Sequence, residues 1–179
     1  MVLEVELSEQ AVNIEENQSY SEGMWIVHAN YGVGQIIRYE EKQLGGKNRN
    51  YYRVEADNAT FWFSPERTGS TKRVRPVATR GKLKEAIKVM AERPQKLAPT
   101  HKERVTQIHQ IVSTGSLIPI AGLIRDLSYQ AVERKLSNPE QETLENLQKR
   151  LVKEWSVVFD VKPEEAQTKI NESLTYHIE

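Results

Sequence analysis

Four histidines, His28, His101, His109 and His177, are the side chains best suited to metal ligation or proton transfer near neutral pH. Their spacing assembles nothing. His101 and His109 stand eight residues apart, so they are not the three- or four-residue neighbours that share a helix face. The chain has no cysteine, which excludes disulfides, thiol catalysis and cysteine-ligated zinc or iron–sulfur centres. The Gly32-Val33-Gly34 turn lacks the third glycine of a dinucleotide fingerprint and leads into no predicted helix, and no phosphate loop ending in Gly-Lys-Ser/Thr exists. Carboxylates interleave with Lys and Arg, as on solvated faces. The pattern points away from an enzyme, and it offers no cofactor or metal site and no small-molecule substrate.

What remains is the chemistry of binding. Phe61-Trp62-Phe63 sits in a segment of strand character, where alternation places Phe61 and Phe63 on one face and Trp62 on the other. One of these two sets is then available as an interface anchor, unless both fill the core with Trp25. Charge is segregated although the net is zero. Residues 1–22 carry six Glu and no Lys or Arg, 24–135 carry twenty basic against ten acidic residues, and 136–179 carry five against nine. A basic middle can meet nucleic-acid phosphates or simply solvate exposed faces. No apolar run approaches the roughly twenty residues of a membrane span, and no signal-peptide pattern opens the chain, so a cytoplasmic protein is expected.

These residues must be positioned by two kinds of element. From Gly23 to Pro65, short strands are punctuated by Gly32 and Gly34, by Gly45-Gly46 and by Asp57-Asn58, with a further strand around Val74. Strands reversed this often predict a small SH3- or Tudor-like barrel. Beyond Arg80-Gly81 the period becomes helical. Leu83, Ala86, Ile87 and Met90 form one stripe, Val105, Ile108 and Val112 a second, and Ile120, Leu123, Ile124, Leu127 and Ala131 a third. A fourth helix is expected with Asn138 as N-cap, Pro139 at N1 and Gln141 completing a capping box, its apolar face running from Leu144 to Val158. A last one starts near Pro163 and buries Ala166, Ile170 and Leu174. The fold class is α+β: an acidic extension over 1–22, a β domain over 23–78, and a helical bundle over 79–179.

Gly23-x-x-Ile26-Val27-x-x-x-x-Gly32-Val33-Gly34-x-Ile36 resembles the opening of the CarD/CdnL family of bacterial transcription regulators, whose N-terminal domain is shared with transcription-repair coupling factor. Further matches keep the family's order. They are Ser64-Pro65-Glu66, Val74-Arg75-Pro76-Val77, Leu123-Ile124-Arg125-Asp126-Leu127, and Leu136-Ser137 before Glu140.

The resemblance implies a barrel that docks on the β-subunit lobe of RNA polymerase through a strand edge, at Lys42, Arg49, Phe61, Trp62 and Phe63. Phe63 stands where some members carry a polymerase-contacting Arg. It also implies a helical domain at the upstream fork of promoter DNA, with a tryptophan wedge in the minor groove. That position falls on His101, an imidazole that buries less apolar area than an indole. The family's basic positions at the fourth helix start fall on Gln141 and Glu142. Phosphate contacts then rest on Lys96, Lys102, Arg104 and Arg125, with Lys149 and Arg150 behind them, and Arg125 has the rival role of pairing Asp126. A solvent-facing stripe through Lys102, Arg104 and Arg125 would favour DNA. Expected partners are the polymerase β subunit and promoter DNA, with nucleoid association while on polymerase; an adaptor that keeps polymerase and has lost DNA is the alternative.

Overall fold

A computed structural model of the chain describes residues 20–44, 46–64 and 73–174. Most of the acidic extension, and the Pro65-Glu66 part of one motif, lie outside the described residues. Among the described residues five antiparallel strands form the first unit: β1 (Trp25–His28), β2 (Gly32–Leu44), β3 (Lys47–Ala56), β4 (Ala59–Phe63) and β5 (Val74–Pro76). Their order is β4-β3-β2-β1-β5. Four strands follow as a meander, and the fifth returns beside the first. The register pairs Val54 with Phe61 and with Ile36, so a row of apolar side chains crosses the sheet on one face. Tyr20, Ile26, Ile36, Val54, Phe61, Phe63 and Val74 are buried together there. Trp25 and Trp62 are not among them, which answers the expectation that the tryptophans fill the barrel.

The two turn glycines serve different needs. Gly32 has φ +78°, a conformation that β-carbons disfavour. At Gly34 the constraint is space, because a β-carbon would lie 2.7 Å from Val54 Cγ1 and 2.9 Å from the Glu55 carbonyl oxygen. Backbone on β3 must move to admit it. Gly34→Ala is therefore expected to cost about 2 kcal/mol, as overpacking does, measured as a lower urea midpoint at unchanged m. Past this point β2 bends where the register shifts between Ile36 and Arg38, leaving Ile37 unpaired and 40% exposed.

Among the described residues five helices follow: α1 (Arg80–Met90), α2 (His101–Thr114), α3 (Leu117–Glu133), α4 (Asn138–Phe159) and α5 (Pro163–Ser173). Thr79 and Thr100 cap α1 and α2 by accepting from backbone N–H groups, and Gly115 ends α2 at φ 64°. Two sequence expectations shift here. The N-cap of α4 is Ser137, and Glu140 completes its capping box, one residue before the Asn138/Gln141 pair. On α3 the expected stripe is too narrow: Leu117, Ala121 and Leu123 to Leu127 are buried, including Arg125 and Asp126, while Ala131 is exposed. Helices packing on several sides of α3 account for this. The bundle core gathers Leu83, Met90, Ile124, Leu127, Leu147 and Trp155 among others, all buried.

The sheet and the bundle are joined by charged and polar contacts. Glu154 on α4 is 2% exposed, and its carboxylate accepts from Arg75 Nη1 at 2.6 Å, from Arg75 Nη2 at 2.9 Å and from the Ala78 N–H at 2.7 Å. Arg75 Nε donates to the Gly115 carbonyl at 3.0 Å. One ion pair thus ties β5, the β5–α1 connection, the α2–α3 turn and α4. One turn earlier on α4, Arg150 donates to the carbonyls of Ala29 and Asn30 in the β1–β2 turn. Lys153 bonds Asp57 in the β3–β4 turn at 2.7 Å and stands 5.8 Å above the Trp25 ring.

Candidate polymerase and nucleic-acid interfaces

The outer face of the sheet is built by alternation from the same strands that make the core. Trp62 pairs across to Arg53 and Arg53 to Arg38, so these three share a face opposite Phe61 and Phe63. Trp62 is half-buried. Its indole Nε1 donates to Glu40 Oε1 at 2.6 Å, and Lys42 Nζ lies 3.3 Å over its ring. The ring is held by a carboxylate at its edge and an ammonium on its face, a rigid anchor of the kind that interfaces use. Arg49 pairs with Lys42 in the hairpin and is exposed. Among the described residues β4 pairs only with β3, which leaves its other edge able to take a partner strand. Phe61 and Phe63 are 6% and 3% exposed and face the core. A partner on the outer face therefore meets Trp62, Lys42 and Arg49, and not these two rings.

At the far end of the bundle a second surface collects around the N-terminus of α2. His101 and Lys102 occupy its first turn, exposed, and Lys96 is exposed in the segment before it. Arg104 is turned inward, with a side chain 13% exposed; its Nε donates to Glu140 Oε1 at 2.9 Å and its Nη1 to the Ala98 and Pro99 carbonyls. Glu140 is itself 1% exposed and also accepts from Arg134 and from the N–H and hydroxyl of Ser137. Burial alone would raise this carboxyl. The bonds from Arg134, the Ser137 N–H, Arg104 and the Ser137 hydroxyl outweigh it and hold the pKa down at about 2.

That carboxylate gathers the start of α2, the end of α3 and the start of α4 into one corner. Its rim carries Arg134 and exposed Lys135, which sequence reasoning missed, although Arg134-Lys135 directly before the Leu136-Ser137 helix start was a usable signal. Arg125 is not on this surface. It is 3% exposed, with Nε on Asp126 Oδ1 at 2.7 Å and Nη1 on the Val89 carbonyl and Glu92, while Asp126 accepts from the Gln95 N–H. The stripe through Lys102, Arg104 and Arg125 is thus broken, because burial commits the two arginines to internal carboxylates. Exposed basic side chains here include Lys96, Lys102 and Lys135, with the exposed His101 beside them, while Arg134 is half-buried and bonded to Glu140.

A scan against family models matches both halves in order. The CarD-like/TRCF RID domain spans residues 20–76 and the CarD C-terminal domain spans residues 85–171. The chain belongs to the CarD-like family. It is a CarD-like transcription regulator associated with RNA polymerase, a member of a family of non-enzymatic transcription factors. A search of curated proteins finds no match. The CarD-like C-terminal match takes in Glu140, Arg150 and Glu154, and the N-terminal match ends at Pro76, so the Arg75–Glu154 ion pair bridges the two family domains.

Proposed function

We propose that this CarD-like chain binds the β-subunit lobe of RNA polymerase through the outer face and free edge of β4, and that the α2 corner of its bundle holds the upstream fork of promoter DNA. The observation that carries this reading is the Arg75–Glu154 clamp, which fixes the angle between the two surfaces. A regulator with two rigidly related contacts binds best to the one state of the promoter complex in which both targets are correctly placed. It then shifts the closed-to-open equilibrium by differential affinity alone. His101 at the start of α2 serves as a small wedge or minor-groove hydrogen-bonding group, and Lys96, Lys102 and Lys135 supply the phosphate contacts.

The burial of Arg104 and Arg125 favours a second reading, in which the helical domain is a protein-binding adaptor and the polymerase contact alone survives. Trp62 decides the contact common to both readings. In a titration of holoenzyme with labelled protein, Trp62→Ala is expected to weaken binding at least tenfold, the range of an aromatic hot spot, and Lys42→Glu to weaken it less. Thermal unfolding of the same variants separates this from loss of fold. Unchanged affinity for both variants would remove the outer face from the interface.

A further inference from the structure

Between the two family domains lies a polar cleft of about 320 Å³, walled by the β1–β2 turn, the β3–β4 turn and the middle of α4. Neither surface described above includes it. Asn146, Lys149, Arg150 and Lys153 line it from α4, and Asn58 and Tyr31 from the sheet side. Three features point to a ligand.

The first is charge. Among the described residues Arg150 has only carbonyl partners and no carboxylate, although its guanidinium is buried enough for desolvation to lower its pKa. Lys149 is exposed, with no ion pair among the described residues. Asp57 offsets only Lys153, so the cleft keeps two positive charges that an anion would neutralise. The second is a platform. Tyr31 is 51% exposed, yet it is fixed from behind by stacking on Phe61 at 4.8 Å and by contact with the His28 ring at 4.6 Å. His28 Nδ1 in turn accepts from the Asn30 and Tyr31 N–H groups and sets the turn. The third is length. Asn146 to Lys153 extends along roughly 10 Å of helix at about 1.5 Å per residue, more than one phosphate occupies.

From these we infer that the cleft is a binding site for single-stranded nucleic acid, with successive phosphates on Lys149 and Arg150 and a base stacked on Tyr31. Asn58 and Asn146 offer amides to the base edges. Exposed aromatic and cationic groups in one groove are the means by which single strands are held without sequence preference. A duplex keeps its bases stacked inside and cannot use Tyr31. The inference adds a strand contact to the proposed role at the promoter fork, but it does not depend on the polymerase contact.

The test uses the full chain without polymerase and a fluorescent single-stranded 12-mer of mixed sequence, read by anisotropy over a salt series. Lys149→Glu is expected to weaken binding about tenfold and to remove roughly 0.7 from the slope of log K against log salt, one phosphate contact on a single strand. Tyr31→Leu should weaken binding about tenfold with the slope unchanged. Lys84→Glu, on the exposed face of α1, controls for net charge and should do neither. The inference is overturned if Lys149→Glu loses no more than Lys84→Glu, if Tyr31→Leu binds like the parent, or if the matching duplex binds more tightly than the single strand. A mononucleotide or an acidic peptide binding as tightly as the 12-mer would equally overturn it. Loss of polymerase binding by Trp62→Ala leaves this result untouched, so the two readings fail separately.

Discussion

Replacing Glu154 by Ala is expected to lower the stability of the folded chain by about 3–5 kcal/mol, because it leaves a half-buried guanidinium without its carboxylate and an N–H at Ala78 without its acceptor. For a chain of this size that is a fall of roughly 6–20 °C in the melting midpoint. The cost is not the net worth of the ion pair. Arg75→Met combined with Glu154→Leu should regain much of the loss, since two apolar side chains desolvate nothing charged, and the double-mutant cycle would show strong coupling. What the double variant should not regain is the fixed angle between sheet and bundle. If that angle matters, stability recovers while polymerase-dependent retention of DNA stays impaired.

The second large effect belongs to Glu140. Its carboxyl titrates at about 2 in the folded chain against 4.5 ordinarily, so the folded state favours the charged form. A lowered carboxylate pKa gives stability that is present above pH 4.5 and is lost as pH falls towards 2. The shift corresponds to about 3 kcal/mol at neutral pH, at about 1.4 kcal/mol per unit. Glu140→Gln, which keeps the shape and cannot carry the charge, should therefore be less stable than the parent by about that amount at pH 7. Urea midpoints measured for both proteins between pH 7 and pH 2 should converge as acid protonates the parent. A constant gap across that range would mean that Glu140 acts through packing and not through charge.

Much of this architecture could be read from residue order. Alternation in Phe61-Trp62-Phe63 put the tryptophan on the face opposite the two phenylalanines but did not say which face is outer, and the spacing of Leu144, Leu147, Leu151 and Trp155 drew the buried side of α4. The misreadings have physical causes. Ser137-x-x-Glu140 and Asn138-x-x-Gln141 both satisfy the capping-box pattern, and Pro139 suits the first or second helical position, so local rules could not choose the register. The choice is made by Arg104 and Arg134. Arg104 reaches Glu140 from 36 residues away, and no window on the helix contains it. Arg125 and Asp126 carried the same problem: charge reads as solvent exposure unless the partner that permits burial is known, and here those partners lie on α1 and the segment that follows it. The cleft beside Tyr31 was illegible for a related reason. Its walls come from three segments far apart in the chain, and only the docking of α4 against two turns brings them together.

The most direct test of the two-surface account is retention of forked promoter DNA by RNA polymerase holoenzyme, with and without the chain, over a salt series, using the parent, His101→Ala and Lys102→Ala. The account predicts that the parent prolongs retention, that both substitutions shorten it, and that the gain shrinks as salt rises. Retention prolonged equally by all three proteins would contradict the fork contact and leave the adaptor reading, and a chain that never binds the holoenzyme would contradict both.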